Sequence, residues 1–191
     1  MRKKFFHVIL ITILTLSCSV RNVQSTVMMK QSLGDLTHRA QAIIQGKVAG
    51  ITQEWNDDKT MIYTTVRVST GRIVKGEKGL KEVIVRQPGG MIGDKGVKVS
   101  GFPAFSEGEE VLLFLEPFEA KGPHSGKHKI VGMGQGKFRI ETDTKTGRKT
   151  VVPSREMPTL LDAQGHEVTP EKGPVPLDDF IHTIEQEMSR K

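Results

Sequence analysis

Phe105-Ser106-Glu107-Gly108-Glu109-Glu110-Val111-Leu112-Leu113-Phe114-Leu115 is the stretch of the sequence that decides the fold. Its second half, Val111 to Leu115, is an unbroken run of five apolar residues, and turn-forming residues precede it. A short apolar run bounded by turn residues is typical of a strand that is buried inside a protein. The stretch therefore predicts a buried strand at residues 111–115 that follows a tight turn.

Further strands are predicted on both sides of this run. Between Met61 and Val74, apolar and polar side chains alternate, which is the period of a half-buried strand. Six or seven strands curved by glycines indicate a mainly β protein built as a small OB-like β-barrel, because full closure removes exposed sheet edges. The other predicted strands are residues 42–51, 82–87, 128–133, 137–141 and 150–152.

Two helices flank the predicted barrel. Residues 32–40 form a short N-terminal helix in which Ser32 and Asp35 make a capping-box-like pair. Residues 177–190 carry apolar side chains on one helical face, so they predict an amphipathic C-terminal helix that packs on the barrel. The predicted segments are a signal peptide at 1–25, the OB-like barrel domain at 26–152, an extended connection at 153–175 and the C-terminal helix at 176–191.

Residues 1–25 have the three parts of a cleavable secretory signal peptide. Residues 2–4 are basic, and the apolar run at 5–16 is shorter than the ~20 residues that a membrane span requires. Val23-Gln24-Ser25 places small or modest side chains at the −3 and −1 positions of a signal peptidase site. We therefore expect cleavage after Ser25 and a periplasmic or secreted bacterial protein.

Two alternatives to this cleavage remain open. In the first, the segment stays attached as an uncleaved anchor helix. In the second, Leu16-Ser17-Cys18 is the end of a bacterial lipoprotein box, which it resembles, and Cys18 is the site of lipidation. Lipidation at Cys18 would turn a soluble protein into one anchored in the envelope.

Removal of the signal peptide changes the charge and the cysteine content of the chain. The sequence has 28 Lys and Arg against 22 Asp and Glu, a net charge of +6. The signal peptide holds four of the basic residues and none of the acids, so the rest of the chain carries +2, which gives no support to nucleic-acid binding. Cys18 is the single cysteine, so cleavage after Ser25 leaves no disulfide and no thiolate metal site.

The sequence lacks the common catalytic signatures. It contains no G-x-S-x-G nucleophile elbow, no H-E-x-x-H zinc motif, no phosphate-binding loop and no EF-hand loop. His124 and His128 lie in a Gly- and Pro-containing loop, so we expect two solvated histidines and no metal site. Glu107, Glu109 and Glu110 are expected to form a solvated rim beside a turn. The sequence therefore favours a protein that is not an enzyme and holds no cofactor.

Two glycine-rich segments offer the best places for a ligand, Gln87-Pro88-Gly89-Gly90 and Gly132-Met133-Gly134-Gln135-Gly136. Glycine permits positive φ and a close approach of the backbone to a partner, although the same glycines could simply turn strands at the corners of the barrel. The candidate ligand-binding residues in and near these segments are Trp55, Arg86, Gln87, Gln135 and Phe138.

Six motifs lie between Asp35 and Ile140, namely residues 40–48, Trp55, residues 74–76, 85–90, 105–115 and 131–138. Together they resemble a family of uncharacterised exported bacterial proteins. A similar domain accompanies matrixin-like metalloprotease domains in some secreted bacterial proteins. The strand order more distantly resembles the OB-type barrels of netrin-like and tissue metalloprotease inhibitor domains. Those inhibitors chelate the protease zinc through an N-terminal cysteine, which this chain lacks after cleavage at Ser25, so no functional residue transfers.

We therefore expect an exported, non-enzymatic binding module that contacts a protein or cell-wall partner through its glycine-rich loops. It would bind no nucleic acid and would keep no membrane span after cleavage. An accessory or inhibitory domain for an extracellular metalloprotease is the second hypothesis, and it rests on the family resemblance. A hydrolase with an unrecognised site is the third.

Overall fold

The computed structural model describes residues 27–118, 122, 124–154, 159–168 and 173–190. The predicted signal peptide and Cys18 lie outside these residues. The described helices are α1 (Leu33–Arg39) and α2 (Leu177–Ser189). The described strands are β1 (Val27–Met29), β2 (Ala42–Trp55), β3 (Ile62–Lys75), β4 (Glu82–Pro88), β5 (Gly90–Ile92), β6 (Lys95–Val97), β7 (Glu110–Pro117), β8 (His128–Ile130), β9 (Lys137–Thr142), β10 (Lys149–Pro153), β11 (Thr159–Leu161), β12 (Glu167–Val168) and β13 (Val175–Pro176).

Strands β7, β2, β3, β4 and β8 pair in this order, and a pairing between β7 and β8 closes them into a barrel. Their contacts are antiparallel except between β4 and β8, which run parallel and meet at Val85 and His128. This closed, mixed five-strand barrel, with its short N-terminal helix and its C-terminal helix, confirms the predicted mainly β fold class. Strands β9 and β10 extend the sheet outward from β7 and do not join the ring.

Strand β7 lies between two hydrophobic cores. Val111, Leu113 and Leu115 point into the barrel, while Leu112 and Phe114 point to the opposite side. All five side chains are fully buried, which confirms the buried strand predicted from this run. Burial of one such side chain stabilises a fold by about 1.5–3 kcal/mol. Because its side chains alternate between the two sides, β7 contributes to both cores. The barrel interior is completed mainly by Ile44, Val48, Val66, Val68, Val83 and Val85.

The second core lies between the outer side of β7 and β9 and the two helices. Phe138 on β9 connects these layers, because its ring centroid is 5.7 Å from that of Phe114 and 4.8 Å from that of Phe180 on α2. Ile181 and Ile184 of α2 are buried in the same cluster. The amphipathic face of the predicted C-terminal helix therefore packs against the sheet, as its pattern indicates.

Helix α1 begins with the capping box that the sequence predicts. The Oγ of Ser32 accepts a hydrogen bond from the backbone N–H of Asp35 at 3.0 Å. In return, the Asp35 carboxylate accepts the backbone N–H of Ser32, also at 3.0 Å. These bonds satisfy amide groups that a helix leaves unpaired at its first turn. The Ser32 hydroxyl also donates to the Asp35 carboxylate at 2.7 Å, and this bond, with that from the Ser32 backbone N–H, lowers the pKa of Asp35 below its ordinary value.

The register between strands β2 and β3 shifts at three places. One shift lies between Gln45 and Gly46. A Cβ on Gly46 would lie 2.5 Å from the carbonyl oxygen of Ser69 and 2.7 Å from a methyl group of Val68, both on β3. Glycine is therefore required here by the close approach of the two strands.

The expectation of a fully solvated rim at Glu107, Glu109 and Glu110 is wrong for Glu109. The side chain of Glu109 is 15% exposed and forms an ion pair with the buried side chain of Lys137. This pair joins the turn before β7 to β9.

Among the described residues, we find no helix that is long and apolar enough to span a membrane.

Candidate functional site

The five candidate ligand-binding residues lie in different parts of the protein. Gln135 and Phe138 lie on the side of the sheet that the helices cover, where both line a groove of about 290 Å³. Gln87 lines a cavity of about 220 Å³ at one end of the barrel. Arg86 contacts residues on the outer face of the barrel, and Trp55 is half-buried at the end of β2. The structure therefore does not bring them together in one site.

Gln135 binds the protein's own N-terminal strand. Its Oε1 accepts a hydrogen bond from the backbone N–H of Gln31 at 2.8 Å, and its Nε2 donates to the carbonyl oxygen of Met29 at 3.0 Å. The carboxamide thus pairs with β1 in the manner of a neighbouring strand. Phe138 is in turn packed between Phe114 and Phe180. In the described structure, both side chains have structural contacts that account for their positions.

Gln87 is held at the end of the barrel by the segment that follows β6. Its Nε2 donates to the carbonyl oxygen of Pro103 at 2.7 Å, which fixes the orientation of the amide. Its Oε1 is buried and has no hydrogen-bond partner among the described residues. Gly89 and Gly90 line the same cavity with positive φ, and the carbonyl oxygen of Gly89 accepts the hydroxyl of Thr64 at 2.7 Å. The first glycine-rich segment therefore forms part of a small polar cavity.

Arg86 lies on the outer face of β4, in a cluster that we call the Arg86 face, formed by Glu54, Tyr63, Thr65, Arg86, Phe118 and His124. The guanidinium carbon of Arg86 is 4.6 Å from the centroid of the Tyr63 ring, within the range of a cation–π contact. Its Nη1 donates to the Glu54 carboxylate and, at 3.2 Å, to the hydroxyl of Thr65. Arg86 is only 5% exposed, whereas the Glu54 side chain is 57% exposed.

Two further rings complete the Arg86 face. The His124 ring is 5.2 Å from Tyr63 and stacks on Phe118 at a centroid distance of 4.8 Å. These contacts connect the segment between β7 and β8 with β3 of the barrel wall. The expectation of two fully solvated histidines is therefore wrong, since His124 and His128 are both half-buried.

The electrostatics of the Arg86 face favour a neutral histidine beside an ion pair. Burial lowers the pKa of His124, and the nearby positive charges of Arg86 and Lys127 lower it further. The hydrogen bond from Arg86 lowers the pKa of Glu54, so this carboxylate stays ionised. The face thus presents one exposed carboxylate, one shielded guanidinium and neutral rings near pH 7.

Three polar atoms in and beside this face are buried and have no hydrogen-bond partner among the described residues. They are the Nε of Arg86 and the Nδ1 atoms of His124 and His128. Buried polar atoms are normally paired, so such a concentration within one region is unusual. The described residues contain no group of three His, Cys, Asp or Glu side chains that could hold a metal ion. The described side chains of the Arg86 face can form hydrogen bonds and stack their rings.

Sequence reasoning identified Arg86 and missed its neighbours Glu54, Tyr63, Phe118 and His124. The alternation in β3 already placed Tyr63 opposite the buried side chains. The missing information was the strand pairing, which sets Glu54 opposite Tyr63 and Thr65 opposite Arg86.

A scan against protein-family models and a search of the curated proteins found no significant match to this chain.

Proposed function

We propose that the protein is a non-enzymatic binding module of the cell envelope or secreted space, and that it binds a glycan of the cell wall or extracellular matrix. The observation that supports this proposal is the Arg86 guanidinium stacked on Tyr63, with His124 and Phe118 beside it, on the outer face of β3 and β4. The absence of common catalytic motifs in the sequence favours binding over catalysis.

The position of the Arg86 face within the barrel supports this choice. OB-type barrels bind oligosaccharides and oligonucleotides on the face of their second and third strands, between the loops that join strands one to two and four to five. Here β3 and β4 are the second and third barrel strands, and Phe118 and His124 belong to the connection from the fourth to the fifth. The barrel fixes where a ligand would lie, and the residues of the face must carry the specificity.

The chemistry of the face favours a glycan over the other classes of partner. Outward positions on β3 and β4 include Thr65, Arg67, Ser69 and Glu82, so the surface around Tyr63 is polar. Protein interfaces also use tyrosine, phenylalanine and arginine, but the polar side chains around this face suit the hydroxyl groups of a sugar chain. The near-neutral charge of the chain without its signal peptide argues against a polyanion such as nucleic acid. A sugar chain offers hydroxyl groups for the polar side chains and ring faces for Tyr63.

The test is binding of the purified protein to insoluble peptidoglycan and to soluble glycan fragments, measured by co-sedimentation and calorimetry. Arg86→Lys keeps the charge but removes the planar fork that holds Glu54 and Tyr63 in place, so we expect at least a tenfold loss of affinity. Arg139→Lys is the control, because Arg139 is also paired with a glutamate but is more exposed than Arg86 and lies on β9, outside the Arg86 face. Thermal unfolding of each variant checks that the fold is intact.

Four outcomes would reject the proposal. Absence of glycan binding, or equal binding by the Arg86→Lys and Arg139→Lys variants, would exclude the Arg86 face as a glycan site. Release of soluble sugar from peptidoglycan by the wild-type protein would show that the protein is an enzyme. Cross-linking from the Glu54 position to a single protein, in place of glycan, would assign the face to a protein partner such as an extracellular protease.

A further inference from the structure

Three segments of the chain meet beside Gly101, and two of them bring a methionine. The first is β1 with Met28, and the second is the 3-10 turn at Met133–Gly136, which begins with Met133. A Cβ on Gly101 would lie 2.9 Å from the Sδ of Met133 and 3.1 Å from the Sδ of Met28. The two thioether sulfurs therefore pack side by side against Gly101, at the place that a side chain there would occupy.

Hydrogen bonds hold the three segments in this arrangement. The Gln135 carboxamide pairs with the backbone of Met29 and Gln31, which ties β1 to the 3-10 turn. The backbone N–H of Gly134 donates to the carbonyl oxygen of Gly101 at 2.7 Å, which ties the turn to the third segment. These hydrogen bonds hold the backbone of the segments that carry Met28 and Met133, and so they help to place the two sulfurs.

A third electron-pair donor lies close to this turn. Besides the two sulfurs, the Oε1 of Gln31 lies beside Gly132, 2.8 Å from the point where a Cβ would stand. This oxygen is buried and has no hydrogen-bond partner among the described residues. A cluster of lone pairs with an unpaired acceptor is suited to a cation.

Met133 has two properties that packing alone does not explain. Its φ is +56°, a left-handed conformation that is uncommon for residues other than glycine. It is also 37% exposed, so the strained backbone presents a large apolar side chain to solvent. Strain of this kind persists where the surrounding structure imposes it, and it is often found at binding sites.

We propose that Met28 and Met133 form a binding site for a soft monovalent metal ion, Cu(I) or Ag(I). Thioether sulfur is a soft ligand that selects Cu(I) over the harder divalent ions. The ion would bridge the two sulfurs that meet at Gly101, with the Gln31 oxygen near the turn. The site binds the ion as supplied and involves no electron transfer. It is independent of the glycan proposal, because none of these residues belongs to the Arg86 face.

The first test is a titration of the purified protein, with its methionine methyl groups labelled with ¹³C, by Ag(I), which is inert to air oxidation. We expect the methyl resonances of Met28 and Met133 to shift together and to saturate at one equivalent. Met91 is the internal control, because it is more exposed than Met133 but lies on β5, away from Gly101. Shifts that follow exposure, with Met91 and Met29 responding as strongly, would overturn the proposal, and so would no shift at all.

The second test compares variants in competition with a colorimetric Cu(I) chelator under ascorbate. Met133→Leu and Met28→Leu keep the volume and remove the sulfur, so each should lower the affinity for Cu(I) at least tenfold. Met91→Leu should bind as the wild type does. Unchanged affinity in both Met133→Leu and Met28→Leu would overturn the assignment of the ligands, even if the protein binds Cu(I) elsewhere.

Discussion

Lys137 and Glu109 form an ion pair inside the protein, with the lysine Nζ 2.9 Å from both carboxylate oxygens of the glutamate. The same Nζ donates to the carbonyl oxygen of Ala104 at 2.5 Å and lies 4.2 Å from the centroid of the Phe105 ring. A lysine that is 2% exposed is thus held by a carboxylate, a carbonyl and an aromatic face. These contacts fix the turn before β7 against the start of β9.

Removal of one partner of this pair should be costly. Lys137→Met leaves the Glu109 carboxylate mostly buried without its cation, so we expect the free energy of unfolding to fall by about 3 kcal/mol. Lys149→Met is the matched control, because the Lys149–Glu110 pair is more than a third exposed on both sides and should cost less than about 1 kcal/mol. Denaturant unfolding measures both values. A loss for Lys137→Met no larger than that of the control would contradict the structure.

Gly46 should tolerate no side chain. Gly46→Ala places a methyl group 2.5 Å from the Ser69 carbonyl oxygen, so the barrel must open locally, and we expect a destabilisation of about 2 kcal/mol or more. Gly71→Ala on β3 is the control, because its Cβ would lie 3.6 Å from the nearest atom, the carbonyl oxygen of Gln45. Thermal unfolding should separate the two variants clearly. Equal melting temperatures would show that β2 and β3 are farther apart at Gly46.

The stability of the protein should fall as the pH falls below about 7. Burial lowers the pKa of His124 and of His128 in the folded protein, so the unfolded chain binds more protons in this range and stability rises with pH. Above the unfolded histidine pKa of about 6.5, both states hold neutral histidines and the stability is at its full value. As the pH drops below about 6.5 toward the lower histidine pKa of the folded protein, the unfolded chain takes up protons first and stability is lost. Melting temperatures between pH 5 and 8 measure the slope. His124→Gln should flatten it, whereas His182→Gln, at an exposed position on α2, should not.

Gln135 should control the attachment of β1. Gln135→Leu removes both hydrogen bonds to the backbone of Met29 and Gln31, so we expect faster hydrogen exchange of the Gln31 amide with little change at β7. Gln135→Glu keeps an acceptor for the Gln31 N–H and loses the donor to Met29, so its effect should be intermediate. Exchange followed by NMR or mass spectrometry tests this order. Unchanged protection at Gln31 in both variants would mean that β1 is held by β11 alone.

The fold was largely predictable because its signals are local. The apolar run at 111–115, the alternation in β3 and the Ser32–Asp35 capping box each depend on residues close in the sequence, and all three are present in the structure. The prediction of a short apolar strand also succeeded because turn residues define its beginning.

The candidate sites were harder to predict because they depend on which strands pair. Arg86 and Gln87 are adjacent in β4 and were grouped as one ligand site, yet successive strand residues point to opposite faces. Arg86 therefore contacts Tyr63 outside the barrel, while Gln87 contacts Pro103 at its end. Glu109 was expected in solvent because the sequence does not show that Lys137, 28 residues later, lies against it.

The double burial of β7 has a consequence for how the protein opens. A strand that forms a wall of both the barrel and the helical layer joins the two into one cooperative unit, since neither core can be exposed without losing the strand they share. A ligand that binds only the folded form of one layer should therefore also stabilise the other layer against unfolding.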